Sequence, residues 1–410
     1  MPMVLLCDSE ALFLHAYGLI SLCFGFIPFC LLSIFARMND LIKLRHKLHA
    51  FPELSGKEII TAETIHQFLL SCRPDFIVKN IGGNGVLAIY DSGQSGYNVL
   101  FRADIDALPI QEETDLLWKS VNSGVSHKCG HDGHTTILAG LTRHISTCRP
   151  KKGKAVLFFQ PSEETGEGAY KALAEFDFSK IDYAFALHNL PGFPLNSIIL
   201  RNETFASASK GIVIMLKGRS SHASEPEKGV SPANALSKLL HDLPNLNNYE
   251  PNSNEYCMVT IVHCKLGAES FGTSPGDAVL MATLRGSSDE MIRSLDKTTV
   301  DLVTKIAHHN SLLFDISYFE SFPATINDPE SVNIIRNEAI SLGYKIHDLA
   351  SPFRWSEDFG HFSNFCSIAY FGIGAGINHL PLHNPDYDFP DEIIPTGVEM
   401  WKAIYSKILL

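Results

Sequence analysis

A chain of 410 residues with 45% hydrophobic content is long enough to bury the cores of two domains. Its formal charge of −12 and pI near 5.8, with no basic cluster interleaved with aromatics, argue against a nucleic-acid partner. Nine cysteines fall without a paired framework or a CxxC motif, the usage of a reducing compartment in which a thiolate stays free to bind metal.

At the N-terminus, no charged residue occurs from Ala11 to Ala36, a run long enough to span a bilayer although His15 and Pro28 interrupt it. Asp8 and Glu10 precede the run, where a secretory signal would carry positive charge. The positive charges follow it, at Arg37, Lys43, Arg45 and Lys47, so the positive-inside rule puts the downstream chain in the cytoplasm. A membrane anchor, a cleaved signal and an extension with no structural role all stand as readings of residues 1–37. A membrane is a partner only if this segment is inserted.

Further along, the apolar run Val99 to Phe101 leads into FRADIDALP, which sets Asp104 and Asp106 at a strand end. CGHDGH then packs a thiolate, two imidazoles and a carboxylate into six residues, Cys129 to His134. Thiolate and imidazole suit zinc and its neighbours, and a spacing of two lets Cys129 and His131 reach one ion. His134 opens a helix running from Thr135 to Ile145 and reads as a supporting residue. Ala155 to Phe159 is followed by QPSEETGEG, which puts Glu163 and Glu164 just past a buried strand, and Tyr183 to Leu187 runs directly into His188. Between Ala206 and Phe322 the character changes. GIVIMLKGRSSHASEP and DAVLMATLRGSS alternate like strands with one exposed face, while SPANALSKLLHDL and SDEMIRSLDKTTVDLVTKIAHH have helical periodicity. Asp358 in WSEDF reads as a helix cap. Ile368 to Ile373 leads into GAGINHLPLHNPDYDFPDE, with His379 and His383.

Taken singly these residues are ambiguous. Cys129 could be a small buried hydrophobe, His188 a core histidine, and Glu163 with Glu164 a solvated turn or the favourable charge at a helix start. Asp104 could be a turn cap, and His127, His144, His308, His309 and His361 have no partner to name. In open α/β sheets, however, ligands gather beyond the carboxyl ends of the strands, so several strand ends bearing metal-binding side chains predict one site built from distant segments.

The segments LRHKLHAFPELSGKE, FRADIDALP, HKCGHDGHTT, QPSEETGEGA, ALHN, GRSSHASEP, WSEDF and LHNPDYDFPDE, in this order, resemble the motifs of M20 metallopeptidases. The aminoacylase and amidohydrolase branch, with its hippurate, N-acyl-amino-acid and auxin-conjugate hydrolases, is the nearest match, from about Met38 to the C-terminus. The resemblance implies an α/β fold: a catalytic domain with a mostly parallel central sheet flanked by helices, at 38–205 and 323–410. A smaller α+β lid and dimerisation domain at 206–322 interrupts it, and residues 1–37 precede the usual start of family members at Met38. It also implies two divalent ions held by Cys129, His131, Glu164, His188 and His383, with Glu163 as general base. Only the resemblance says which glutamate does which job. Asp104 would orient a ligand or the nucleophile, as metal-bound histidines commonly lean on a carboxylate. On the lid, His222 would hydrogen-bond the substrate carbonyl and Arg285 would grip its free carboxylate. The lid departs from the family pattern at GTSPGDAVL and at Glu225, Pro226 and Glu227, which bears on the acyl group and amino acid accepted.

The expected activity is metal-dependent hydrolysis of the amide bond of small N-acyl amino acids by a cytoplasmic enzyme that forms a homodimer through its lid. The thiolate leans toward zinc, nickel or cobalt, while the carboxylate and imidazoles also admit manganese. A metallo-dipeptidase of the same fold is the alternative. A non-catalytic metal-stabilised binding protein is a further one, and it would be expected to lose Glu163 before the ligands.

Overall fold

The computed structural model describes residues 29–248 and 255–410. Most of the apolar run at 11–36 therefore lies outside the described residues, among which no helix is long and apolar enough to cross a membrane.

Helices α1 (Phe29–Ala50) and α2 (Ile59–Cys72) lead into strands β1 (Phe76–Ile81), β2 (Gly85–Asp91) and β3 (Asn98–Asp104). A long loop then reaches α3 (His131–Thr147), followed by β4 (Lys154–Gln160), α4 (Gly168–Glu175), β5 (Tyr183–Pro191), β6 (Ile198–Leu200) and β7 (Glu203–Ala206). The lid comprises β8 (Ala208–Lys217), β9 (Ser221–His222), α5 (Ala233–Asp242), β10 (Cys257–Leu266), β11 (Thr273–Ser274), β12 (Asp277–Gly286), α6 (Asp289–His309) and β13 (Leu313–Phe322). The chain returns through β14 (Thr325–Asn327), α7 (Pro329–Ser341), β15 (Ile346–Asp348), β16 (Ser367–Gly376) and α8 (Ile394–Leu409).

The main sheet runs β1-β2-β4-β3-β5-β16-β6-β15. Its four central strands, β4, β3, β5 and β16, are mutually parallel, whereas β1, β2 and β6 pair antiparallel toward the flanks. Parallel strands need helices on both faces, so their sequences are apolar on both sides. Ala155 to Phe159 and Ala184 to Leu187 are accordingly buried throughout. Trp401 of α8 seals one face, standing edge-on to Phe101 and Phe371 at 5.3 and 5.4 Å. Phe158, Phe178 and Phe362 fill the other.

In the lid, β10-β12-β8-β13 is wholly antiparallel and has its own core. Ala278, Leu280, Ala282 and Leu284 alternate inward along β12 against α5 and α6, as a half-exposed strand requires. Ser288 caps α6 by accepting a hydrogen bond from the Met291 amide, and Asp328 with Pro329 starts α7 in the same way from Ser331.

A buried ionic knot ties α1 to the start of α3. Arg45 donates to Asp132, Asp388 and Asp391, and His49 sits between Asp132 (2.9 Å) and Glu112 (3.0 Å), with Lys128 also on Glu112 (2.8 Å). Burial opposes charge on His49, but its hydrogen bonds to Asp132 and Glu112 outweigh that and lift it to about 9.

Removing one partner from such a knot strands the others without compensation. Arg45→Met is expected to cost about 3–5 kcal/mol in urea unfolding. A group whose folded value is raised stabilises fully below its unfolded value and loses that contribution as pH climbs through the folded one. Stability is therefore expected to fall between pH 6.5 and about 9, and His49→Gln to flatten that dependence in melting curves taken across the range.

Candidate metal centre

The carboxyl ends of β3, β4, β5 and β16 face one edge of the sheet, and the loops leaving them build the site. Cys129 stands one residue before the cap of α3, and His131 is that helix's first residue. Gly130 between them has φ +94°, and a Cβ there would meet Asn189 Oδ1 at 2.5 Å, so no side chain fits. At Gly133 an added Cβ would lie 2.3 Å from the Phe389 ring, which is how closely α3 approaches the C-terminal loop.

His131 Nδ1 lies 3.0 Å from the Asp106 carbonyl and 3.3 Å from its carboxylate. Its proton therefore sits on Nδ1, and Nε2 is left as a donor atom for metal. That Nε2 stands 3.7 Å from Glu164, 3.8 Å from Asp104 and 3.9 Å from Glu163. His188 is oriented likewise. Its Nδ1 donates to the Asn189 carbonyl at 2.8 Å, and its Nε2 faces Cys129 Sγ at 3.5 Å. His383 has its amide on the Lys128 carbonyl (2.7 Å) and Nε2 3.9 Å from Glu164. His383 and Ser162, the residue before Glu163, both hold positive φ (65° and 56°), backbone cost of the kind concentrated at functional sites.

Two triads that could hold an ion, Cys129 with His131 and His188, and Cys129 with Glu164 and His383, share the thiol. His131 Nε2 and Glu164 Oε1 are buried without a hydrogen-bond partner, although they face each other. Around them lie the buried carboxyls of Asp104, Asp106, Glu163, Glu357 and Asp358. Burial, Glu357 and Glu164 push Glu163 well above the usual carboxylate range, and burial with the Asp106 charge lifts Glu164 to about 7. Burial and the two glutamates likewise raise the Cys129 thiol. A site short of positive charge, with orphaned donors and a thiol, imidazole and carboxylate set, fits a divalent cation, whose charge would ionise these same groups.

The supporting network differs from the sequence expectation at two residues. Asp104, expected to orient a ligand or nucleophile, accepts from His134 Nδ1 (2.7 Å) and Arg102 (2.8 Å). The carboxylate bonded to a candidate ligand is Asp106, which also accepts the Glu164 amide at 3.0 Å and Ser55 Oγ at 2.7 Å. Asp358 caps the start of α4, by accepting from the Ala169 amide, rather than its own turn, whose cap is Glu357. Arg102 binds Gln160, Asp104, Glu357 and Asp358 at once. His134 bridges Asp104 to Asn189, the supporting position its sequence context suggested.

A cavity of about 280 Å³ opens onto these groups, lined by Cys129, Glu163, Glu164, His188, Trp355, Ser356, Glu357, Leu382 and His383. A wider cleft of about 590 Å³ lies beside Trp118 and is lined by Asp388, Asp391 and Glu392, whose carboxylates include two that pair with Arg45. His222 is not among the lining residues. It is exposed on β9 with Nδ1 2.7 Å from Ser224 Oγ. Arg285 donates to the Arg354 carbonyl (3.0 Å) and to Ser356 Oγ (3.2 Å), which brings it to the cavity's rim. His379 is half-buried against the Tyr387 ring.

Residues 100–407 match the model of peptidase family M20/M25/M40. The chain is 31% identical over 372 residues to a hippurate hydrolase of Campylobacter jejuni, covering 90% of this chain and 96% of that protein. It is 32% identical over 394 residues to an uncharacterized hydrolase of Staphylococcus aureus, covering 90% and 99%. Among solved structures it is similar to the YXEP protein of Bacillus subtilis, described as a dinuclear metal binding peptidase from the M20 family, with TM-score 0.77 and 26% identity over 90% of this chain and 97% of that one.

Because Asp106 holds both the His131 ring and the Glu164 backbone, Asp106→Ala is expected to weaken metal binding about 10–100-fold. Competition with a chromogenic chelator measures this; an affinity within twofold of the parent would count against the role.

Proposed function

The chain belongs to peptidase family M20/M25/M40, and from that premise we propose that it cleaves the amide bond of small N-acyl amino acids to a carboxylic acid and a free amino acid. It is a metal-dependent amidohydrolase by its relatives. The observation that carries the finer reading is one cavity lined by Cys129, Glu164, His188 and His383, four of the five expected ligands, together with Glu163.

Cys129, His131, Glu164, His188 and His383 would hold two divalent ions. Such a pair, when bound, supplies a water acidified from about 15.7 toward about 7, a Lewis acid for the amide oxygen, and the charge that keeps Glu163 ionised. Glu163 takes the proton of the attacking water and delivers it to the leaving nitrogen. Burial of Glu163 beside Glu357 favours its protonated form midway, as a group that must both accept and return a proton requires. Arg285, at the rim against Ser356, is the candidate partner for the substrate's free carboxylate. His222 stands outside the cavity in this conformation, so its contact with the substrate carbonyl would require the lid to move. Dimerisation through the lid belongs to the same reading.

Glu163→Gln should keep near-normal metal content while kcat drops about 10²–10⁴-fold; retained turnover would remove Glu163 as the base. Cys129→Ala should lower bound metal in elemental analysis. A panel of N-acetyl, N-benzoyl and indole-acetyl amino acids and dipeptides, assayed after loading with zinc, manganese, nickel or cobalt, tests the substrate class, with a dipeptide preference pointing to a peptidase.

A further inference from the structure

Trp355 stands in the wall of the metal cavity, its ring centroid 5.5 Å from that of His188. The indole is clamped from behind. It stacks on Phe353 at 4.9 Å and 22°, with Phe205 and Tyr370 edge-on at 6.1 and 6.4 Å. The backbone is pinned as well. The Ser207 amide donates to the Phe353 and Trp355 carbonyls at 3.1 Å each, and Arg285 grips the residues on either side of the indole. Leu382 supplies a second apolar wall, and the cavity's 280 Å³ is near the small end for ligand sites. None of the proposed catalytic steps uses the indole.

We propose that Trp355 is the specificity-determining residue of this cavity, its fixed indole face taking a flat aromatic group carried by the substrate; this rests on the amide-hydrolase reading above. A face already held in place loses no rotamer freedom when a ring settles on it. Ring-on-ring contact also adds to simple area burial, a gain that an acetyl or other small aliphatic group cannot collect. The aromatic group could sit on the acyl side or on the amino acid, and the substrates below separate the two.

The test compares metal-loaded parent, Trp355→Leu and Trp355→Phe on N-benzoylglycine, N-acetylphenylalanine and N-acetylalanine. Trp355→Leu should lower kcat/KM for one of the aromatic substrates about 10–100-fold relative to N-acetylalanine, and Trp355→Phe should recover most of that loss. The substrate that suffers identifies the side. A uniform change across all three, or no change, overturns the proposal. Calorimetry with benzoate and acetate gives a readout without turnover: the parent should prefer benzoate, and Trp355→Leu should lose the preference. A preference that survives in Trp355→Leu also overturns it. If the parent cleaves none of the three yet its benzoate preference vanishes in Trp355→Leu, the indole's role stands and the amide-hydrolase reading falls.

Discussion

Arg102 lies fully buried in β3, and its guanidinium is divided among Gln160 at the end of β4, Asp104 at the end of β3, and Glu357 and Asp358 on the loop that carries Trp355. Burying so many charges costs several kcal/mol per ion, which is recovered only where the remaining donors and acceptors find partners. Here they do. Glu357 also accepts from Tyr370, and Asp358 from Gln160 and the first turn of α4. The relative placement of the Glu163 turn, the His134 strut and the Trp355 wall follows from this one side chain. Strand ends alone would bring the loops near each other without fixing them.

The two sides of α3 show opposite electrostatic solutions. On one side, Asp132 and its neighbours are met by the internal cations Arg45, His49 and Lys128. On the other, His131 looks toward Glu163, Glu164 and Asp104, and the carboxyls there outnumber the protein's own cations. The first arrangement pairs its carboxylates with side chains of the chain itself and serves as scaffold. The second is left short of positive charge, with a histidine nitrogen and a glutamate oxygen bonded to nothing, which is the condition under which a cation from outside binds. That the same helix start serves both explains the small residues around it, since Gly130 and Gly133 let Asn189 and Phe389 close in.

Much of this was legible in sequence because strand ends announce themselves. The apolar runs before Glu163, His188 and the segment of His383 are two-sided, as central parallel strands must be, and the polar residue after each run falls at the loop edge. Asp106 was harder to single out from Asp104. The two sit two apart beyond one strand, and which of them meets His131 depends on where α3 lands, 25 residues further on. Asp358 carried a helix-cap signature and does cap a helix, but one nearly 200 residues earlier, which no local pattern encodes. The antiparallel flanks of the main sheet were equally invisible, because an edge strand's direction is set by its loop's path and not by its own periodicity.

By itself, the sequence determined the family, the α/β class and the candidate ligand types, since these depend on residue identity and on patterns that repeat within a few positions. The tertiary structure alone decided which atoms face one another: that both triads share Cys129, that Asp106 rather than Asp104 supports His131, that His222 lies away from the cavity while Arg285 reaches its rim, and that an immobilised indole forms its wall. Those are contacts between segments up to hundreds of residues apart. Packing sets them to within ångströms, and metal chemistry and substrate fit depend on distances of that size.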